Sequence, residues 1–113
     1  MLSSIFKKIG IVSSIAVLTT FGNAHAGSSS GAVSMLMIHS PDIVIFRAGT
    51  HLNKPACSTA GEDWAISLNS HSGRAIYAML LTAKSQNKNV TVIGQGICSA
   101  WGDRESPLYM LLN

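Results

Sequence analysis

Charged and aromatic side chains are both scarce in this sequence. Asp, Glu, Lys and Arg make up 12% of its 113 residues, and Phe, Trp and Tyr only 6%. A nucleic-acid partner calls for a concentrated basic face, and a single strand for a series of stacking aromatics. This composition supplies neither, so nucleic acid is not expected as a partner. Catalytic patterns are missing as well. His39, His51 and His71 lie twelve and twenty residues apart, which matches no helix-borne metal motif. Glu62/Asp63 and Asp103/Glu105 are carboxylates close in sequence, whereas a glycosidase opposes its two carboxyl groups across the substrate. Ser40, Ser70 and Ser72 lack a nucleophile elbow. Gly94-Gln95-Gly96 lacks the third glycine and the following helix of a phosphate-binding turn. The chain is accordingly read as non-enzymatic, with no cofactor and no metal.

The long apolar run of the sequence stands near its start. Lys7 and Lys8 precede an uncharged, mostly apolar stretch from Ile9 to Phe21, and Ala24-His25-Ala26 then places small residues where a signal peptidase reads them. The run is short for a bilayer span, and no Cys follows it as a lipoprotein would require. Residues 1–26 are therefore expected to be a secretory signal, with Gly27 the first mature residue and no membrane anchor after processing. Such a chain is periplasmic or secreted. The 87 residues from Gly27 to Asn113 are enough for one small domain. Removing Lys7 and Lys8 leaves six basic residues against five acidic ones, so most of the positive charge departs with the signal.

Cys57 and Cys98 both lie beyond the signal. In an exported chain two cysteines most simply form one internal disulfide. A free catalytic thiol is the rival reading, and no CxxC or local Cys-His pattern supports it.

Gly27 to Gly31, GSSSG, is expected to be a flexible leader, with the domain proper spanning 32–113. Ala32 to Ile38 reads as a first strand, and His39-Ser40-Pro41-Asp42 as a turn. Ile43 to Arg47, rich in β-branched residues, reads as a second strand paired with the first in a hairpin. Ala48 to Asp63 is a long loop, either functional or pinned by Cys57. Trp64 to Asn69 alternates, with Trp64, Ile66 and Leu68 facing one way. The segment Ser70 to Lys88 is the long one with helical periodicity: Ile76, Leu80 and Ala83 form an apolar stripe beside Tyr77 and Leu81. Ser70 or Ser72 can cap its start, and Lys84 and Lys88 suit its carbonyl end. Val90 to Ile97 is a fourth strand, Ser99 to Pro107 a polar loop and Leu108 to Leu112 a last strand. The order β-β-β-α-β-β predicts a mainly β fold with one helix, a small five-stranded barrel of the oligonucleotide/oligosaccharide-binding type with one disulfide. An open α+β sheet uses the same elements.

In such a barrel, ligands meet the loop between the last two strands. Trp101, Asp103, Arg104 and Glu105 place an indole, two carboxylates and a guanidinium within five residues there. They are the candidate ligand-binding residues, able to stack on a sugar ring and bond its hydroxyls. The competing structural reading has Trp101 closing the barrel mouth while the three charges form a solvated local ion pair. Trp64, at the head of its strand, is expected in the core.

The succession Cys57, Trp64–Leu68, Ser72–Lys84, Val90–Gly94 and Cys98 resembles the B subunits of subtilase-cytotoxin and pertussis-like toxins, over about the last two-thirds of the mature chain. The resemblance implies an exported fold of the same kind, assembled as a homo-oligomeric ring of five. It further implies recognition of cell-surface glycans, and a catalytic subunit as a further partner. No glycan-contact residue of that family is carried onto this chain. A small monomeric binding module outside any toxin is the alternative.

Overall fold

The computed structural model describes residues 25–113; the expected signal, residues 1–26, lies almost wholly outside them. The elements are β1 (Ser28–Ser40), β2 (Ile43–Ala48), β3 (Trp64–Ser67), α1 (His71–Gln86), β4 (Asn89–Gly94) and β5 (Pro107–Leu112). Five antiparallel strands form one sheet in the order β3-β2-β1-β4-β5. The expected hairpin is present, with β1 and β2 joined across Pro41 and Asp42.

The sheet is not a closed barrel. Its two edges, β3 and β5, approach each other on either side of a single parallel bridge between Trp64 and Glu105, where the Ala65 amide donates to the Glu105 carbonyl at 3.1 Å. Beyond Glu105 the chain turns into β5 and joins β4 instead, which leaves the seam one bridge long.

The expectation for Gly27–Gly31 needs correction. Ser28 to Ala32 form the first part of β1 and pair with Asn89–Ile93 of β4, whereas Val33–Ser40 pair with β2. GSSSG has no apolar side chain to commit it to a strand, so its order comes from backbone bonds to β4, whose alternation is strong. One strand thus serves both halves of the sheet and bends between them. At the bend Gly31 packs on Gly49: a Cβ on Gly31 would sit 3.0 Å from the Gly49 Cα.

The α1 stripe is as its spacing predicts. Gly73, Ile76, Leu80 and Ala83 are buried, whereas Leu81 is exposed. Ser70 is the cap: its Oγ accepts from the Gly73 amide at 2.9 Å. Asn87 ends the helix in the left-handed conformation with φ 53°. Lys84, exposed in the last turn, also reaches across to the sheet, donating from Nζ to the Val33 carbonyl at 3.1 Å. Between α1 and the sheet lie Val44, Phe46, Trp64, Ile66, Val90, Val92 and Met110. The other face of β2 and β3 carries a smaller cluster, Ile43, Ile45 and Ala65, under Met35, Ala100 and Trp101. Cys57 and Cys98 are joined in a disulfide, with Cα atoms 6.1 Å apart. The bond points to an oxidising compartment. Among the described residues no helix is long and apolar enough to cross a membrane.

Candidate functional site

The four candidate residues of the β4–β5 loop do not share one surface. Trp101 is half-buried on the small cluster of β2 and β3, its ring 4.6 Å from that of His39. Trp101 thus covers the outer cluster of β2 and β3 rather than the mouth of a barrel. Arg104 joins an ion-pair group: Nη1 meets Asp103 Oδ1 at 2.5 Å and Nε meets Asp63 Oδ2 at 3.1 Å, while Arg47 holds the other Asp63 oxygen. Partial desolvation works against the Arg104 charge, but hydrogen bonds to Asp103 and Asp63 and their charges outweigh it and raise its pKa. The group is thus local only in part, since the buried Asp63 comes from the loop before β3.

Glu105 points the opposite way and is fully buried. Its Oε1 lies 2.7 Å from His51 Nε2, and its Oε2 accepts from the Gly27 nitrogen at 2.9 Å and the Gly96 amide at 2.8 Å. Its own amide donates to Ser58 Oγ at 3.3 Å. A Cβ on Gly94 would overlap the carboxylate, so glycine there makes the room that the acid occupies. Sequence neighbours alternate in side-chain direction along extended backbone, which separates Arg104, facing Asp63, from Glu105, facing the interior.

His51 is brought in by the loop after β2. Residues Ser28 and Leu52 bond each other through both amides, at 3.0 and 2.7 Å, and the His51 amide donates to Glu62 Oε2. The imidazole stacks on Trp64 with centroids 3.8 Å apart and planes 14° from parallel. Trp64 in turn donates from Nε1 to Ser29 Oγ at 3.0 Å. This His-carboxylate pair was not legible from spacing. Its sequence trace is indirect, in the glycines at 27 and 94 that leave space for a side chain arriving from elsewhere. The pair is closed to solvent, so it has no surface on which to meet a substrate.

An open cleft of about 270 Å³ lies on another side, between the start of α1 and the β4–β5 loop. Ser67, Ser70, Ser72, Gln95, Ser99 and Ser106 supply its polar lining, and Ile66, Ile76 and Pro107 its apolar floor. Ser70 is spent on the helix cap, whereas the Ser106 Oγ only accepts, from the Ala100 amide at 3.0 Å. Ser99 donates to Gln95 Oε1 at 3.0 Å, and Gln95 Nε2 to the Pro107 carbonyl at 3.1 Å. The side chains of Ser99 and Gln95 are thereby held in place at the rim. Beside the cleft, an apolar crevice of about 220 Å³ runs between α1 and β5, lined by Ala75, Ile76, Met79, Leu108, Tyr109 and Met110. Ser72 lines both. None of the four candidate residues from the sequence lines either depression.

The chain matches no family model, no curated protein and no solved structure.

Proposed function

We propose that the protein is an exported, non-catalytic binding subunit that assembles with copies of itself and takes a cell-surface glycan in the serine-lined cleft. The cleft is the observation that carries this reading. Sugars present many hydroxyls and a few C–H faces, and a shallow site with fixed amide and hydroxyl groups over an aliphatic floor is complementary to both. The strand order and the parallel bridge between Trp64 and Glu105 support a coiled sheet of the oligonucleotide/oligosaccharide-binding type, and with it the resemblance to toxin B subunits. In that reading a catalytic subunit is a further partner of the assembled ring.

Self-assembly is supported by β5. It is an edge strand whose Leu108, Tyr109, Leu111 and Leu112 are all exposed. Edge strands of natural proteins are usually blunted with charge, proline or a covering element, and β5 carries no charged residue at all. A second copy pairing along this edge would occupy its open backbone groups and cover part of the exposed Leu and Tyr side chains, which alternate between its two faces. Native mass measurement of the mature protein should therefore give an oligomer, a pentamer in the toxin-like case. Leu111→Lys should weaken association at least about tenfold by placing a charge in that contact. A monomer at working concentrations would sink the assembly part of the proposal.

For the ligand, a glycan array probed with the mature protein should show binding, and Ser72→Tyr should reduce it by roughly tenfold or more by filling the cleft. The Ser72 side chain stands at the exposed start of α1, so the midpoint of thermal unfolding should hardly move. Trp101→Ala should behave oppositely. It uncovers Ile43, Ile45 and Ala65 and should cost about 1–3 kcal/mol in stability, with glycan binding retained. A mature oligomer blind to every glycan, or one whose binding is abolished by Trp101→Ala and untouched by Ser72→Tyr, would return the site to the loop or remove it.

A further inference from the structure

A carboxylate enclosed as Glu105 is tolerates burial only with a counter-charge and with its hydrogen bonds filled. The bonds are filled, but among the described residues no permanently charged side chain reaches it. Arg47 and Arg104 are directed to Asp63 and Asp103. His51 meets Oε1 through Nε2, and its buried Nδ1 has no hydrogen-bond partner among the described residues. A protonated ring would leave a buried N–H without an acceptor, whereas a neutral ring donating from Nε2 leaves only a lone pair.

One atom already in contact with Glu105 can become a full positive charge: the nitrogen of Gly27, 2.9 Å from Oε2. Gly27 follows the small-x-small sequence Ala24-His25-Ala26. His25 and Ala26 are exposed and Gly27 is buried, so the exposed-to-buried boundary falls at the Ala26–Gly27 bond. We propose that hydrolysis of this bond by a signal peptidase completes the buried site, the new α-ammonium of Gly27 becoming the counter-ion of Glu105. Water oxygen bonds to the Ala26 carbonyl carbon as the carbon–nitrogen bond breaks. The Ala26 side leaves as a carboxylate, and both water protons end on the Gly27 nitrogen. The nitrogen need not move, because the Gly27 carbonyl is held by the Gly94 amide at 2.8 Å and Ser28 is paired with Leu52 on both sides. Glycine is also needed at the new terminus, since a Cβ on Gly27 would overlap Glu105 Oε1 and come within 2.8 Å of His51 Nε2. Export processing thus makes a structural ion pair, and the precursor folds less stably than its product.

The inference rests on the export part of the proposed function and is independent of the glycan. Its test starts with the full 113-residue chain expressed in an exporting bacterium, with the intact mass of the recovered protein giving its first residue. A chain left unprocessed would overturn both the export reading and this inference; processing that begins the chain elsewhere than Gly27 would overturn the inference alone. The second step inserts one alanine between Ala26 and Gly27, so that cleavage after Ala26 leaves the Gly27 nitrogen as an amide. The two chains are compared in the Glu105 and Glu105→Gln backgrounds. The extra alanine should lower the unfolding midpoint by about 5 °C or more when Glu105 is present, and by much less when it is Gln. Equal shifts in both backgrounds, or none in the first, would overturn the ion pair. Should Glu105→Gln fail to fold, the amine itself reports. In the native Gly27 chain it should react with an acylating reagent at least about tenfold more slowly than the terminal amine of the extended chain, and equal rates would overturn the proposal.

Discussion

Trp64→Ala should destabilise the domain by about 3–5 kcal/mol, among the largest costs a single side chain can carry. The indole is fully buried between the sheet and α1 and belongs to the main core with Phe46, Ile66 and Leu80. Three losses coincide at this position. Removing the ring opens a cavity in the cluster that Trp64 forms with Phe46, Ile66 and Leu80. Ser29 Oγ loses the Nε1 donor. The His51 imidazole loses the surface it stacks on, and with it part of what fixes it against Glu105. Urea titration followed by circular dichroism measures the change, and Trp64→Phe separates the contributions. Phe restores most of the stacking surface but not the donor, so it should recover more than half of the lost stability. If Trp64→Ala cost less than about 1 kcal/mol, the main core would have to lie elsewhere than between α1 and β3.

Replacing Cys57 and Cys98 together by serine should cost about 4 kcal/mol, the chain-entropy value for a closed loop of this size; the two residues are 41 apart in sequence. The bond fastens the loop after β2, which has little regular structure of its own, to the segment leaving β4. Other links cross the same gap: the Thr59 amide donates to the Asp103 carbonyl at 3.0 Å and the Glu105 amide to Ser58 Oγ at 3.3 Å, beside the Arg104–Asp63 and His51–Glu105 contacts. Without the disulfide these bonds must hold the loop alone. Reduction of the native protein should lower the denaturant midpoint, and hydrogen exchange should quicken first at residues 55–62, ahead of β1 and β4. Uniform quickening across the chain would mean that the loop is not a separate unit.

The parts of this fold written in periodic side chains were readable from the sequence. The Ile76, Leu80 and Ala83 stripe, the alternation from Trp64, the β-branched run at Ile43 and the lone pair of cysteines each bury or join what their spacing requires. Two features were not readable, for related reasons. Ser28–Gly31 have no apolar periodicity, and they are strand because β4 offers its backbone to them. Glu105 sits in a polar run beside Asp103 and Arg104, and only tertiary packing reveals that it alone turns inward, to meet a histidine 54 residues earlier. Local pattern reports what a segment contributes to burial and is silent on what a distant segment supplies to it. The ligand reading shifted for the same cause, because the cleft gathers serines from β3, α1 and the β4–β5 loop that form no motif.

The bent first strand has a consequence for how the protein folds. Ser28 pairs with Ile93 and Ala32 with Asn89, so the first five residues of β1 wait for β4 until nearly the whole chain is available. The β1–β2 hairpin can close early, as a local event, but α1 and β4 must be in hand before the N-terminal serines have a partner. Contacts of such long sequence separation slow folding toward the millisecond-to-second range. The late step is then the docking of the first part of β1 onto β4, which joins the hairpin to the second half of the sheet.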